Sequence, residues 1–272
     1  MKIGVVAPAN PIDPAVVAKG QAFVALAFPE VDLVIHPQVY RTDGGHFAGP
    51  DDVRAAAFLE VANDPTFDAI WFARGGYGSN RLLTRILPHL NDAARVKSYV
   101  GYSDMTFLLS ALYAARIGQP ASGPMLADIG RKDGDQTVTR TLQWLTKRDT
   151  RGLEPGLAGQ PSAAFNLSIL HALIGTPYLP DLADHVLIIE EVSEPLYAID
   201  RMLFHMAHAT QLKGIAGVRL GYVTAIKPNE PGWQGSLEDM MRRWCGEMGV
   251  PYLGRAEVGH VQQNHVVPFG WH

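Results

Sequence analysis

The sequence predicts an α/β protein: an N-terminal α/β domain built on a parallel sheet, followed by a C-terminal domain of α+β character. Three observations carry this expectation. In the first half, short β-rich runs alternate with longer stretches whose apolar residues recur at helical spacing, the pattern of parallel strands joined by crossover helices. After Gly130 the chain turns polar and then rich in charge, Gly and Pro. Beyond Ala164 strand and helix signals return without a regular βαβ rhythm. The expected organisation is an N-terminal domain over residues 1–145, a linker over 146–163 and a second domain over 164–272.

In chain order, residues 3–7, 31–35, 69–73 and 98–101 form compact apolar runs of strand type. Residues 14–28, 50–63, 79–87 and 104–116 carry apolar side chains at helical spacing, and Asp51-Asp52 places acids where a helix dipole favours them. In the second half a helix over 167–174 stops at Gly175-Thr176-Pro177, and 185–189 is a strong strand. A helix from Ile199 brings Met202, Leu203 and Met206 to one side, and 218–226 and 256–258 are strand-like.

The chain has 272 residues, 47% hydrophobic and 18% charged, which suits a globular protein with a sizeable core. A net charge of −4 supplies no general field for phosphate backbones or anionic lipid, so neither nucleic acid nor membrane is expected as a partner. No stretch approaches the roughly 20 apolar residues that span a bilayer. The single cysteine, Cys245, has no partner for a disulfide, and the expected location is the cytoplasm.

Four segments carry candidate chemistry. Tyr99-Val100-Gly101-Tyr102-Ser103-Asp104 is a buried-type strand ending in glycine and a serine at a strand-to-helix turn. There a hydroxyl projects above the sheet beside helix-start amides, which suits a nucleophile with part of an oxyanion hole. The same serine could serve only as a helix cap. Arg74-Gly75-Gly76-Tyr77-Gly78 follows another strand and exposes backbone amides at the carboxyl end of the sheet. Its order is neither a dinucleotide nor a phosphate fingerprint, which leaves a carbonyl-oxygen donor or a plain turn. Glu190 and Glu191 end an apolar strand with Glu194 nearby, and Val258-Gly259-His260 sets an imidazole after a glycine, with Asn264 four residues on. A serine hydrolase needs such a set, because neutral serine attacks poorly until an oriented imidazole takes its proton. Histidine pairs at 205/208 and 260/265 lack the H-E-x-x-H form and any nearby thiol, so core or surface roles account for them better than a metal.

Taken together these segments resemble the LD-carboxypeptidases, serine peptidases that include muramoyltetrapeptide carboxypeptidases and microcin-immunity peptidases. The resemblance runs through residues 3–8, Phe47-Ala48-Gly49 with Arg54, residues 69–83, and Gly101-Tyr102-Ser103-Asp104 with Thr106. It continues through Asn166-Leu167-Ser168, Gly175-Thr176-Pro177-Tyr178, Glu190 to Glu194 with Tyr197, Ile199-Asp200-Arg201, and Gly259-His260 with Pro268 and Gly270.

The resemblance implies Ser103 as nucleophile, Glu190 as acid and His260 as base, with the amides of Gly76 and Asp104 as oxyanion hole and Arg74, Gly75 and Tyr77 holding substrate. It also implies a β-rich C-terminal domain carrying Glu190 and His260, with the site between the domains. The implied substrate is a murein tetrapeptide that loses its terminal D-alanine during peptidoglycan recycling. No metal or organic cofactor is implied, and a homodimer is compatible with it. Two positions depart from the pattern: Ser122 stands where many relatives have histidine, and Ala164-Phe165 where two glycines are expected. Both are expected to line the cleft. The competing readings are a peptidase for a peptide antibiotic and a non-catalytic peptide-binding protein on the same fold.

Overall fold

The computed structural model describes residues 1–157 and 159–270. The expected linker therefore includes one residue, Ala158, outside the described ones, and the expected second domain ends in two more, Trp271 and His272. The first half runs β1 (Lys2–Val6), α1 (Pro14–Ala27), β2 (Asp32–Ile35), α2 (Asp51–Asn63), β3 (Ala69–Phe72), α3 (Leu83–Ile86), α4 (Asp92–Arg95), β4 (Ser98–Gly101), α5 (Thr106–Ala114) and β5 (Gln119–Ser122). A further helix, α6 (Gly134–Lys147), follows. The second half runs β6 (Ser162–Asn166), α7 (Leu167–Leu173), β7 (Val186–Val192), α8 (Leu196–His208), β8 (Gly217–Thr224), α9 (Leu237–Met248), β9 (Tyr252–Arg255) and β10 (Val267–Pro268).

The first sheet has the order β10-β5-β4-β3-β1-β2. Its pairs are parallel except β10 with β5, so the end of the chain returns to the edge of the N-terminal sheet. Alternation along the strands explains their continuous apolar runs. Ile3, Val5, Trp71 and Val100 face the layer holding Val17, Val24, Leu126 and Leu142, while Val6, Ile70, Phe72 and Tyr99 face Phe58, Leu108 and Leu112. The expected helix over 79–87 is instead a 3-10 turn, the short α3 and a second 3-10 turn; Pro88, which has no N–H, keeps α3 from running on.

The second sheet, β6-β7-β8-β9, is parallel throughout, whereas the sequence showed no βαβ rhythm there. The rhythm was hidden because β6 is built from Ser-Ala-Ala-Phe-Asn, with little β-branched character, and straddles the boundary at 163/164 between the expected linker and the second domain. The strand expected at 256–258 does not form: the strand is β9, and 256–258 is irregular chain after it, held by the Tyr222 N–H donating to the Val258 carbonyl at 2.8 Å. One apolar cluster runs through both halves, from Phe72 and Leu108 to Phe165, Ile189, Leu203 and Met241. No helix among the described residues is long and apolar enough to cross a membrane.

Candidate active site

The carboxyl ends of β3 and β4 are neighbours in the first sheet, beside the point where the strand order reverses between β3 and β1. The chain leaves β4 through Gly101, whose position admits no Cβ beside Phe72, and reaches Ser103 with φ 60°. A non-glycine residue in the left-handed region costs about 1–2 kcal/mol, and the tight bend lifts the hydroxyl off the sheet. The loop after β3 is folded against it. A Cβ on Gly75 would stand 3.2 Å from the Ser103 Cβ. Gly76 has φ 124° and leaves no room for a side chain beside Asn10, whose Oδ1 accepts the Tyr77 N–H at 3.2 Å.

Asp104 ties the two loops together. Its carboxylate accepts the N–H groups of Gly78 (3.1 Å) and Ser79 (2.9 Å), and the Ser79 hydroxyl donates to its carbonyl at 2.6 Å. Burial pushes the Asp104 carboxyl above the usual range, against the pull of the Ser79 and Gly78 hydrogen bonds and of Arg54. Arg54, fully buried, donates to the carbonyls of Pro8, Gly49 and Gly78 and pairs with Asp51, which knots three loops at this end of the sheet. Among the described residues, the N–H groups of Gly76 and Asp104 make no hydrogen bond.

Glu190 and His260 come from the second half. Along β7, Glu190 shares a face with Ile188, and Glu191 shares the opposite face with Leu187 and Ile189, which pack on α7 and α8. The β8 partner bulges between Leu220 and Val223. At that bulge the absent side chain of Gly221 makes room for Glu190, and Gly259, at φ 144°, lies against the Glu190 Cβ as well. The His260 loop is anchored from α6: Thr137 Oγ1 and Arg140 Nη1 both donate to the Gln262 carbonyl, at 2.9 and 2.8 Å. Asn264 Oδ1 accepts the Gly259 N–H at 3.0 Å.

The three side chains meet in one line. His260 Nδ1 lies 2.7 Å from Glu190 Oε2, and His260 Nε2 lies 3.1 Å from Ser103 Oγ. The network fits the tautomer in which Nδ1–H donates to the carboxylate and Nε2 accepts from the hydroxyl. Burial lowers the imidazole pKa, but the charge and hydrogen bond of Glu190 outweigh it, so His260 sits above its ordinary value. Arg131 lowers it further and Asp128 raises it, both as smaller influences. Such an arrangement turns a serine into a nucleophile and leaves two free amides beside it for a developing oxyanion.

Glu191 does something else: it accepts from Asn166 Nδ2 (3.0 Å), the Ser168 N–H (2.8 Å), the Ser168 hydroxyl (2.6 Å) and the Val192 N–H (2.7 Å), at the start of α7. Arg74 and Tyr77 are exposed on the Gly75 loop, Arg74 donating to the Pro11 carbonyl at 3.3 Å and Tyr77 lying 6.0 Å from the Phe47 ring. Ser122 and Phe165 are buried, Ser122 in the sheet and Phe165 5.5 Å from the Phe269 ring, so Phe165 belongs to the core instead of an open cleft wall. His205 pairs with His171, Nδ1 to Nδ1 at 2.8 Å, and His208 packs on Phe204. Sequence reasoning gave no role to Asn10, Asp128 or Arg131, since each acts from a distant loop without a local motif.

The fold and this line of side chains define an α/β protein with the site of a serine hydrolase, and comparison with known proteins narrows the class. Residues 3–120 match the LD-carboxypeptidase N-terminal domain and residues 163–272 the LD-carboxypeptidase C-terminal domain. A Bacillus subtilis protein named "Probable murein peptide carboxypeptidase" is 31% identical over 98% of this chain and 86% of its own length. The "Murein tetrapeptide carboxypeptidase" of Pseudomonas aeruginosa is 26% identical over 83% of this chain and 78% of its own. The chain belongs to the LD-carboxypeptidase family of serine peptidases. The crystal structure of muramoyltetrapeptide carboxypeptidase from Oxalobacter formigenes has the same fold, with a TM-score of 0.80 at 21% identity over 99% of this chain and 93% of that one. So does MccF in complex with glutamyl sulfamoyl guanosine, at 0.82 and 20% over 99% and 91%.

Proposed function

We propose that the protein hydrolyses the L,D-peptide bond that releases the terminal D-alanine of a murein tetrapeptide, a step of murein recycling in the cytoplasm, with Ser103, His260 and Glu190 as nucleophile, base and acid. The observation that carries this reading is the continuous contact from Glu190 through His260 to Ser103. The names of the relatives in Bacillus subtilis and Pseudomonas aeruginosa support the substrate class.

In the proposed reaction Ser103 Oγ bonds to the carbonyl carbon while its proton passes to His260 Nε2, and the oxyanion is held by the Gly76 and Asp104 amides. The C–N bond then breaks as His260 returns the proton to the leaving amine, which departs as D-alanine. His260 next takes a proton from water, whose oxygen attacks the acyl ester and frees Ser103. Glu190 orients the imidazole and stabilises its cationic form throughout. Arg74, exposed on the Gly75 loop, is assigned to the terminal carboxylate, helped by the amides of that loop.

The test is incubation with a free tetrapeptide, its C-terminal amide, an L-Ala-terminated analogue and an aminoacyl sulfamoyl nucleotide, followed by mass spectrometry. Release of D-alanine from the free acid alone is the expected result. Cleavage of the nucleotide conjugate without D-alanine release would move the protein to the antibiotic-cleaving reading, and binding without turnover of any of them would make it a peptide-binding protein.

A further inference from the structure

The His260 imidazole is flanked by a polar unit that the reaction above leaves unused. The Tyr102 ring lies 4.9 Å from the imidazole, tilted by 55°, and only 3% of the residue is exposed. Its hydroxyl donates to Asp128 Oδ1 at 3.0 Å and accepts from Arg131 Nη2 at 3.2 Å. Arg131 Nε is 2.9 Å from the same Asp128 oxygen, and Asp128 Oδ2 accepts the Met125 N–H at 2.8 Å. The three groups thus form a closed triangle that fixes a ring in tilted contact with the base.

We propose that Tyr102, Asp128 and Arg131 are positioning residues that hold the plane of the His260 imidazole and set the pH at which it becomes a base. Asp128 is buried and costly to keep charged there, so its pairing with the solvent-facing Arg131 one ring from the base points to a role in tuning. Tyr102 immediately precedes Ser103, so one strand end aims both the hydroxyl and the plate that supports the imidazole. The charged and titratable groups facing His260 are Glu190 from β7, Tyr102 from the end of β4, and Asp128 and Arg131 from the turn after β5. Arg131 opposes the imidazolium and Asp128 favours it, so the two residues pull in opposite directions. The Arg131 side chain is 38% exposed, which lets its charge be removed without opening a hole in the core.

The proposal rests on the peptidase reading only for what His260 does, and the titration arm of its test needs no substrate. The His260 imidazole of the free protein is followed by NMR through a pH titration in wild type, Arg131→Gln and Asp128→Asn. Arg131→Gln should move the midpoint up and Asp128→Asn should move it down. If Asp128→Asn does not fold, the Arg131→Gln titration decides alone, and a midpoint equal to wild type overturns the proposal. Tyr102→Leu should lower kcat for D-alanine release by about tenfold or more with KM unchanged, as loss of alignment at a reacting group does. A raised KM with kcat intact would make Tyr102 a packing residue and overturn its part. Shifted midpoints in a protein that cleaves none of the substrates would uphold the positioning unit and sink the peptidase reading alone.

Discussion

Past the end of β4 the left-handed residue is Ser103, the site residue itself, whereas in β7 the two adjacent carboxylates lie within the extended strand, ahead of Ser193, whose left-handed turn takes no part in the site. The first sheet therefore builds its part of the site from backbone. Ser103 carries the strain, and glycines at 75 and 76 let the neighbouring loop close on it. The second sheet builds from side-chain alternation, which sends Glu190 to His260 and Glu191 to the start of α7. The difference teaches that a strained turn concentrates its role in one residue, while a strand divides neighbouring residues of the same chemistry between different tasks.

The sharpest way to break this comparison is at Ser103. Ser103→Ala should reduce D-alanine release by roughly 10⁴ to 10⁶-fold, by analogy with other serine hydrolases that lose their nucleophile. Ser103→Gly should be equally inactive yet more stable than Ser103→Ala by about 1 kcal/mol, because glycine tolerates positive φ. Thermal melts of the two inactive variants read the backbone strain directly. Equal melting temperatures would remove strain from the account of this turn.

Glu190→Gln should cost on the order of 10² to 10⁴ in kcat, since the amide lets the imidazole adopt the wrong tautomer, with little change in Tm. Glu191→Gln should do the reverse. An amide nitrogen would face donors that now meet a carboxylate oxygen, a loss of about 1–3 kcal/mol in stability with activity near wild type. Kinetics and melts on the pair, measured side by side, test the division. Lost activity in a stable Glu191→Gln protein would overturn it.

The smallest expected effect lies in pH. Because His260 is held above its ordinary value, its protonated form favours the folded state. That contribution is complete below the unfolded value of about 6.5 and disappears as pH rises through the folded one. The activity moves the other way, since only the neutral imidazole accepts the serine proton. Across this window wild type should lose Tm relative to His260→Gln while its kcat/KM rises. A constant Tm difference would show that the Glu190 contact does not favour the imidazolium.

Much of this site could be read along the chain because its parts are local. Gly101 to Asp104 declares a strand, a bend and a helix start within four residues, and Glu190 with His260 ends apolar runs where a polar group is conspicuous. The helix α6 escaped notice although Val138, Leu142 and Leu145 recur at helical spacing, because its exposed face is highly polar and it abuts a Gly- and Pro-rich segment.

By itself the sequence determined the α/β class, the parallel first sheet and the family motifs, since hydrophobic period and turn chemistry depend only on near neighbours. Only the tertiary structure decided the rest. The return of β10 to the first sheet and the parallel order of the second depend on strand register. The Tyr102, Asp128 and Arg131 triangle beside the base depends on where a loop after β5 crosses the end of β4. Pairing between segments is settled by which packing buries all the apolar faces at once while leaving the buried polar groups partnered, and that condition belongs to the whole chain.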